Sequence, residues 1–384
     1  MRFLSGLDSS SHGKPSTGPR LIHTAFVALL ALVVTGAACG SAGTETTAEA
    51  GGTTGGVLTG AGGGPQGTSS AVTVGVGVGS GGGDGGGGGG GGGGMAKGAP
   101  YPFVFAHGFF GFEKFAGADF LTYYYKVKER LALDGEVIDT PSVDPFNDST
   151  FRGAQLVKRI EAFLAVTGAS KVNLIGHSQG GLDARVVAHD RPDLVASVVT
   201  IATPHQGTPV ADVAMKLLAD PNAALIIDDL GQLIGAPLYD QIGNETSVTK
   251  PLQLFSQQGI AEFNAKYPDA PGVFYASIAG RSSYHGYDND CAGDLQLQFM
   301  TQWNKKLDPV DPLLGVTSLL LGAAANDGLV RDKDARWGEF WGCVPADHLD
   351  EIGQLFGDGP GPGNDWDYLK FYSLLVKYIR ERGY

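Results

Sequence analysis

Two patterns of hydrophobic positions alternate along residues 98–384. Short segments rich in apolar residues, which are typical of strands, cover residues 103–106, 136–139, 172–175, 195–202, 273–279 and 317–321. Residues 152–166 instead repeat apolar side chains at helical spacing, and Gly168 predicts the end of that helix. This alternation predicts an α/β fold, in which a mostly parallel central sheet is flanked by helices. Reactive groups are then expected at the carboxyl ends of the strands.

The alternation is interrupted between about residues 208 and 267. Apolar positions repeat there at helical spacing in two stretches, 210–218 and 225–234. A helical segment inserted at the mouth of a parallel sheet is a frequent position for a lid. Such stripes are also common in ordinary core helices, so the lid is one of two interpretations.

The first 39 residues have the order of a secretory signal. Basic residues are followed by a largely apolar stretch over 21–34, which is shorter than the roughly 20 residues of a membrane span, and then by small residues. The small residues around Cys39 resemble a bacterial lipoprotein cleavage box. They predict an exported chain, anchored at the outer membrane or cell surface through a lipidated Cys39. Cleavage by an ordinary signal peptidase, which would give a secreted protein, is the alternative.

Residues 40–97 are rich in Gly, Thr, Ser and Ala, with an unbroken glycine run from 85 to 94. Such a segment buries too little apolar surface to offset its chain entropy, so it predicts a flexible linker. The first 97 residues carry four basic and four acidic side chains, which places the net charge of −13 on residues 98–384. This remainder is long enough for one large domain, and its acidity argues against a nucleic-acid partner.

Two cysteines, Cys291 and Cys343, follow the linker. In an exported chain such a pair predicts one disulfide, and two free thiols are the alternative. A bridge closing a loop of this length would stabilise the fold by about 4 kcal/mol in the chain-entropy model.

The most specific chemical signal is the sequence Gly-His-Ser-Gln-Gly at 176–180. It stands between the apolar run 172–175 and a helical segment that begins with a further glycine. This is the G-x-S-x-G nucleophile elbow in its strand, turn and helix setting. The glycines let strand and helix approach, so the Ser178 hydroxyl is expected to be exposed near a helix amino terminus. Ser178 is therefore the predicted nucleophile, and a glycine-rich helix entry without chemistry is the alternative.

A serine nucleophile needs a histidine base and an acid that orients the histidine. In this architecture the acid and then the histidine follow the serine in the chain, and His285 and His348 are the histidines that satisfy both type and position after a late acid. Asp327 lies in an Asn-Asp-Gly turn just past the apolar run 317–321. The predicted acid and base are Asp327 and His348. The reserve acids are Asp332 and Asp347.

The oxyanion that forms on attack needs two backbone donors, each worth about 3 kcal/mol in the transition state. One predicted donor is the N–H of Gln179, which follows the nucleophile. The other is the N–H of Phe109, in the loop after the first strand. His107 and His177 precede these positions closely and are expected to make hydrogen bonds rather than to catalyse.

Six motifs, in order, carry a family resemblance. They are Ala-His-Gly-Phe at 106–109, the elbow at 171–181, Ala-Thr-Pro-His-Gln-Gly at 202–207, Leu-Asp-Pro at 307–309, Asn-Asp-Gly-Leu-Val at 326–330 and His-Leu-Asp-Glu-Ile at 348–352. Through them, residues 100–384 resemble the secreted, calcium-dependent bacterial triacylglycerol lipases of the α/β-hydrolase fold. The resemblance implies the triad Ser178, Asp327 and His348, in agreement with the reading of the residues themselves.

The resemblance also implies a structural calcium ion. The family ligands fall on the carboxylates of Asp308 and Asp350 and on the backbone carbonyls of Gln354 and Asp358. Asp311 is the alternative to Asp308. Oxygen donors of this kind suit calcium, and the position of Asp350 predicts an ion that holds the histidine loop in place.

Two further features of the family concern a disulfide and a partner protein. The family disulfide, where present, has a cysteine shortly after the catalytic acid, so a bridge between Cys291 and Cys343 would be a different one. Some members need a membrane-bound foldase chaperone, which makes a foldase a candidate partner. The protein itself is expected to be a monomer.

The predicted activity is hydrolysis of the ester bonds of long-chain acylglycerols at a lipid–water interface, through an acyl-enzyme. A carboxylesterase, a polyester depolymerase or an acyltransferase would use the same triad, because acyl-pocket shape decides among them. The alternative outside catalysis is a lipid-binding surface domain with a decayed site. An intact triad and oxyanion loop argue against that alternative.

Overall fold

The computed structural model describes residues 98–109, 123–219, 246–282, 291, 293, 297–303, 314–353 and 364–384. All of them belong to one compact unit. The predicted signal and linker, residues 1–97, lie outside these ranges. Within the described part of the chain, no helix is both long enough and apolar enough to cross a membrane.

Six parallel strands form one sheet, in the spatial order β2-β1-β3-β4-β5-β6. The strands are β1 (Phe103–Ala106), β2 (Ile138–Asp139), β3 (Val172–His177), β4 (Val195–Ile201), β5 (Phe274–Gly280) and β6 (Glu339–Val344). The predicted α/β fold with a parallel sheet is confirmed. Because β3 and β4 are central and covered on both faces, every residue in them is buried, which explains their continuous apolar runs.

The described residues contain nine α-helices. They are α1 (Val127–Leu133), α2 (Ser149–Thr167), α3 (Gln179–Asp190), α4 (Pro209–Leu217), α5 (Thr249–Phe255), α6 (Gln257–Lys266), α7 (Gln298–Thr301), α8 (Gly315–Leu321) and α9 (Tyr368–Glu381). Helix α2 begins three residues before the predicted 152, because the Asp148 carboxylate accepts hydrogen bonds from the N–H groups of Thr150 and Phe151. It ends at Gly168, which has the left-handed conformation expected there.

The two faces of the sheet bury separate apolar clusters. Alternate residues of β1 point to opposite faces, so Phe103 and Phe105 pack with α1 and α9, whereas Val104 packs with α2 and α3. The helices thus hold the sheet from both sides. The carboxyl ends of β1, β3 and β6 lead into the segments that carry His107, Ser178 and His348.

The strand predicted at 317–321 is wrong, because these residues belong to helix α8. The run is too short for its apolar spacing to separate strand from helix. Its burial is uneven: Thr317 and Ser318 are buried, while Leu319 is 59% exposed. The sixth strand is instead β6, which contains a glycine of positive φ, Gly342, and was not predicted.

The predicted helical insertion is present in part. Helices α4, α5 and α6 lie between residues 208 and 267, in agreement with the first predicted helical stretch at 210–218. The second stretch, 225–234, lies outside the described residues. Helix α5 also contributes Phe255, whose ring packs edge-on against Phe109 at a centroid distance of 6.5 Å.

Candidate active site

Ser178 occupies a sharp turn between β3 and α3. Its φ of 54° and ψ of −129° are strained for a residue with a side chain. The turn is possible because a Cβ atom at Gly176 would lie only 2.5 Å from the carbonyl oxygen of Gly180. The turn is anchored to β4, since the N–H of Ser178 donates to the carbonyl of Ile201 at 2.9 Å. The elbow predicted from the glycine pattern therefore has its expected geometry.

Asp327 and His348 form a buried pair. The Nδ1 atom of His348 lies 2.8 Å from Oδ2 of Asp327, and the backbone N–H of His348 donates to the carbonyl oxygen of Asp327 at 2.9 Å. Asp327 is 0% exposed and His348 is 5% exposed. The reserve acids have other partners: Asp332 pairs with Arg336, and Asp347 accepts from two backbone N–H groups of its own loop.

The turn around Asp327 fixes its carboxylate. The other carboxylate oxygen, Oδ1, accepts hydrogen bonds from the N–H groups of Leu329 and Val330 at 2.8 and 2.6 Å. Asn326 stabilises the same turn, because its side-chain oxygen accepts from the N–H of Gly328. Both carboxylate oxygens of Asp327 are therefore hydrogen-bonded, one to the backbone of the turn and one to His348.

The His348 ring lies beside the elbow. Its centroid is 4.6 Å from that of His177, the residue before Ser178. In the described residues no hydrogen bond joins His348 to the Ser178 hydroxyl. Catalytic hydrogen bonds of this kind often tighten only when substrate is bound.

His177 belongs to a buried hydrogen-bonded chain. Its Nε2 lies 2.8 Å from a carboxylate oxygen of Glu351, and its Nδ1 lies 2.7 Å from the hydroxyl of Tyr123. Burial, and next the electrostatic interaction with His348, hold the pKa of His177 well below its usual 6.5. The ring is therefore neutral, and the pairing requires Nε2–H to donate to Glu351 while Nδ1 accepts from Tyr123. As expected, His177 makes hydrogen bonds behind the site.

The loop after β1 passes directly over the nucleophile. A Cβ atom at Gly108 would lie 2.8 Å from the Cβ of Ser178, so the loop backbone passes close to the serine at this glycine. Phe109 is the next residue of the loop. Gln179 is the first residue of α3, where a backbone N–H has no partner within the helix. The two predicted oxyanion donors thus belong to the two segments that meet at Ser178.

A fully buried ion pair fixes this loop from behind. The guanidinium of Arg152 donates to Asp183 at 2.8 Å, to the carbonyl oxygen of His107 at 2.5 Å and to that of Gly108 at 3.2 Å. Both Arg152 and Asp183 are 0% exposed. His107 is neutral, because burial and then the charge of Arg152 lower its pKa to about 3. Its Nε2 accepts from the N–H of Val143.

Four buried side chains around the site were not predicted from the sequence: Arg152, Asp183, Tyr123 and Glu351. Arg152 left a signal, because it stands four and eight residues before Leu156 and Ile160, on the apolar face of α2. A charged residue on a buried helical face is an indication of a structural or functional pair. Glu351 stands in the motif at 348–352, but its pairing could not be predicted, since its partner His177 is 174 positions away in the sequence.

Three buried side chains of the site lie close enough together to hold a metal ion. Ligand atoms of His177, His348 and Glu351 lie within 4.8 Å of one another. Two imidazoles and one carboxylate suit a transition metal or zinc better than calcium, which prefers oxygen donors only.

Of the predicted calcium ligands, Asp350 lies within the described residues. It is 4% exposed and opens a short 3₁₀ helix, Asp350–Ile352, two residues after His348. A buried carboxylate at this point fits the chemistry of a calcium ligand. The remaining candidate calcium ligands lie outside the described residues: Asp308, Asp311, Gln354 and Asp358. The alternative base His285 also lies outside them.

A disulfide joins Cys291 to Cys343, with a Cα–Cα distance of 5.6 Å. Cys343 lies in the edge strand β6, which leads into the loop of His348. The bridge therefore ties the segment around Cys291 to the strand that precedes the candidate base.

Several known proteins are similar to this chain in sequence or in fold. The α/β-hydrolase fold family matches residues 101–230. A triacylglycerol lipase of Vibrio cholerae is 34% identical over 267 residues, covering 67% of this chain and 81% of that protein. A triacylglycerol lipase of Pseudomonas fragi is 30% identical over 299 residues, covering 74% and 97%. The crystal structure of Staphylococcus hyicus lipase has the same fold, with a TM-score of 0.53 at 18% identity over 73% of this chain and 95% of that one.

Proposed function

Because this chain belongs to the bacterial triacylglycerol lipases of the α/β-hydrolase fold, we propose that it hydrolyses the ester bonds of long-chain acylglycerols at a lipid–water interface. The observation that carries the proposal is the buried hydrogen bond between Asp327 and His348 beside the strained turn of Ser178. In such an arrangement the buried acid orients the histidine, and the histidine can act as the base that activates the serine.

In the proposed reaction, the Ser178 hydroxyl attacks the ester carbonyl while Nε2 of His348 takes its proton. Asp327 keeps the other imidazole proton on Nδ1 and stabilises the imidazolium that forms. The N–H groups of Phe109 and Gln179 bind the oxyanion. His348 then protonates the departing alcohol, and a water molecule releases the fatty acid from Ser178 with His348 as base.

The neighbourhood of Phe109 supports an apolar acyl site. Its ring packs edge-on against those of Phe146 and Phe255, at centroid distances of 6.0 and 6.5 Å. Phe255 belongs to the helical insertion, so insertion and oxyanion loop share one aromatic surface. This contact supports the proposal that the insertion, at about 208–267, acts as a lid.

A structural calcium ion is part of the proposal. Asp308, Asp350, Gln354 and Asp358 would hold it, and it would supply charge neutralisation and rigidity to the loop that follows His348. Its removal should lower the melting temperature together with activity, because the loop would lose a cross-link. Thermal unfolding with and without a calcium chelator measures this, and unchanged melting and activity in chelator would contradict the ion.

Export of the protein is also a proposal. The order of residues 1–39 supports a secretory signal, and the small residues around Cys39 support lipidation there, with residues 40–97 as a linker to the catalytic domain 98–384. Mass spectrometry of the mature amino terminus should show an acylated Cys39. A free amine at a nearby residue would instead indicate a secreted protein. Sedimentation of the mature protein tests the expected monomer, and refolding with and without a lipase foldase tests that partner.

The activity is tested with the mature protein on a triolein emulsion and on a soluble butyrate ester. We expect hydrolysis of both, with a marked increase in rate once the lipid forms an interface. Activity on the soluble ester alone would contradict the acylglycerol substrate while leaving ester hydrolysis intact. Ser178→Ala, purified in the same way, is the control for contaminating hydrolases.

A further inference from the structure

The hydroxyl of Thr208 joins the helical insertion to the turn that carries Asp327. Thr208 precedes α4, and its Oγ1 accepts a hydrogen bond from the N–H of Val210 at 3.3 Å, so it caps that helix. The same hydroxyl donates to the carbonyl oxygen of Leu329 at 2.6 Å. Thr208 is 7% exposed, so water competes little for this bond.

The bond to Leu329 acts on the peptide group that also contacts the candidate acid. The carbonyl of Leu329 and the N–H of Val330 belong to one planar unit. That N–H donates to Oδ1 of Asp327 at 2.6 Å. Fixing the carbonyl end therefore fixes the direction of the N–H. It also polarises the peptide and strengthens its donation to the carboxylate.

The backbone around Thr208 is itself held firmly. The N–H of Thr208 donates to the carbonyl oxygen of Phe255 at 2.9 Å, and the N–H of Gln206 donates to that of Asp334 at 3.0 Å. Between them, Gly207 has a φ of 77°, and a Cβ atom there would lie 2.8 Å from the carbonyl oxygen of Phe255. The Thr208 hydroxyl therefore reaches Leu329 from a backbone segment that is hydrogen-bonded on one side to Phe255 of the insertion and on the other to Asp334.

We propose that Thr208 is a positioning residue for Asp327, acting through the peptide group between Leu329 and Val330. The inference rests on the proposed function of the triad. Without the hydroxyl, this peptide can rotate, and Oδ1 of Asp327 loses an aligned donor. The carboxylate is then less well oriented toward His348, which slows the chemical step. Substrate binding is little changed, because the backbone N–H of Thr208 still donates to the carbonyl of Phe255 when only the hydroxyl is removed.

The test compares three variants of the mature protein on a soluble butyrate ester, with kcat and KM determined separately. Thr208→Val removes the hydroxyl at nearly constant shape, and Thr208→Ala removes it without a branched side chain. Thr208→Ser restores it. The matched control is Ser256→Ala, because Ser256 caps α6 in the same insertion by accepting from the N–H of Gly259. Its hydroxyl donates to the carbonyl of Gln253, and among the described residues it makes no hydrogen bond to the turn of Asp327. Titration with a phosphonate ester counts the active sites.

We expect kcat to fall about tenfold in Thr208→Val and Thr208→Ala, the effect of one lost hydrogen bond in the charged network, with KM within about twofold of the wild type. Thr208→Ser should recover most of kcat, and Ser256→Ala should keep it. A folded Thr208→Val with the kcat of the wild type would overturn the inference, and so would an equal loss in Ser256→Ala. Inactive wild-type protein would overturn the proposed function as well, so the two failures are distinguishable.

Discussion

Asp327 holds His348 in one orientation: the two side chains meet at 2.8 Å between Oδ2 and Nδ1, and both are buried. The second oxygen of Asp327 is occupied by two backbone N–H groups, so the carboxylate cannot turn away. This geometry keeps one proton on Nδ1 of His348. The Nε2 atom is left to accept a proton from a nucleophile.

Replacing Asp327 by Asn is expected to lower kcat on a soluble ester by about 10⁴-fold. The amide can keep the contact but favours the wrong tautomer of His348, because its nitrogen donates rather than accepts. Asp332→Asn is the control: Asp332 is the reserve acid and pairs with Arg336, so its variant should stay within about twofold of the wild type. A loss below tenfold in Asp327→Asn would contradict the assignment of the acid.

Arg152→Lys is expected to reduce kcat by about 10- to 100-fold, because the loop of Phe109, the proposed oxyanion donor, loses its support. A lysine keeps the charge opposite Asp183 but cannot reach Asp183, His107 and Gly108 together. Steady-state kinetics with a melting curve measures the effect. Arg159→Lys, an exposed position of the same helix, is the control. Equal kinetics in the two variants would show that the loop does not depend on Arg152.

The free energy of unfolding is predicted to fall as the pH drops from about 6.5 to about 3. The pKa of His107 is lowered from 6.5 to about 3, first by burial and then by the charge of Arg152. Between these values the unfolded chain binds a proton that the folded chain does not, so lower pH favours unfolding. Above 6.5 this contribution to stability is complete. Urea unfolding at a series of pH values measures the slope.

Carboxylates also destabilise proteins in acid, so a variant must isolate the histidine. His107→Gln should show a shallower fall between pH 6.5 and 4 than the wild type. His189→Gln, at a partly exposed position of α3, should follow the wild type. Parallel curves for all three proteins would show that burial of His107 is not a source of the slope.

Reduction of the bridge between Cys291 and Cys343 is expected to lower the free energy of unfolding by about 4 kcal/mol, the chain-entropy value for the separation of 52 residues. Urea unfolding with and without a thiol reductant measures it. The double variant with serine at both positions should match the reduced wild type and should not respond to reductant. An unchanged midpoint after complete reduction would contradict a stabilising bridge.

The elements that local sterics dictate could be predicted from the sequence. The tight turn at Ser178 could be predicted because its glycines are neighbours in the sequence. The central strands could be predicted because both faces of the sheet are covered, which makes these strands apolar. The short helix α8 was mistaken for a strand, since a run of a few apolar residues fits either period. Two pairings could not be predicted: that of Arg152 with the loop at Gly108, and that of Glu351 with His177. Each joins segments that are distant in the sequence, so a local sequence pattern does not indicate it.

The central claim is that Ser178 becomes covalently acylated. The most direct measurement is labelling of the mature protein with a phosphonate ester, followed by mass spectrometry of its peptides. We predict one adduct, on Ser178, formed in proportion to the loss of activity, and an unlabelled Ser178→Ala protein with the wild-type melting curve and a kcat lower by about 10⁵-fold or more. An adduct on another residue, or turnover by folded Ser178→Ala at the wild-type rate, would contradict the account.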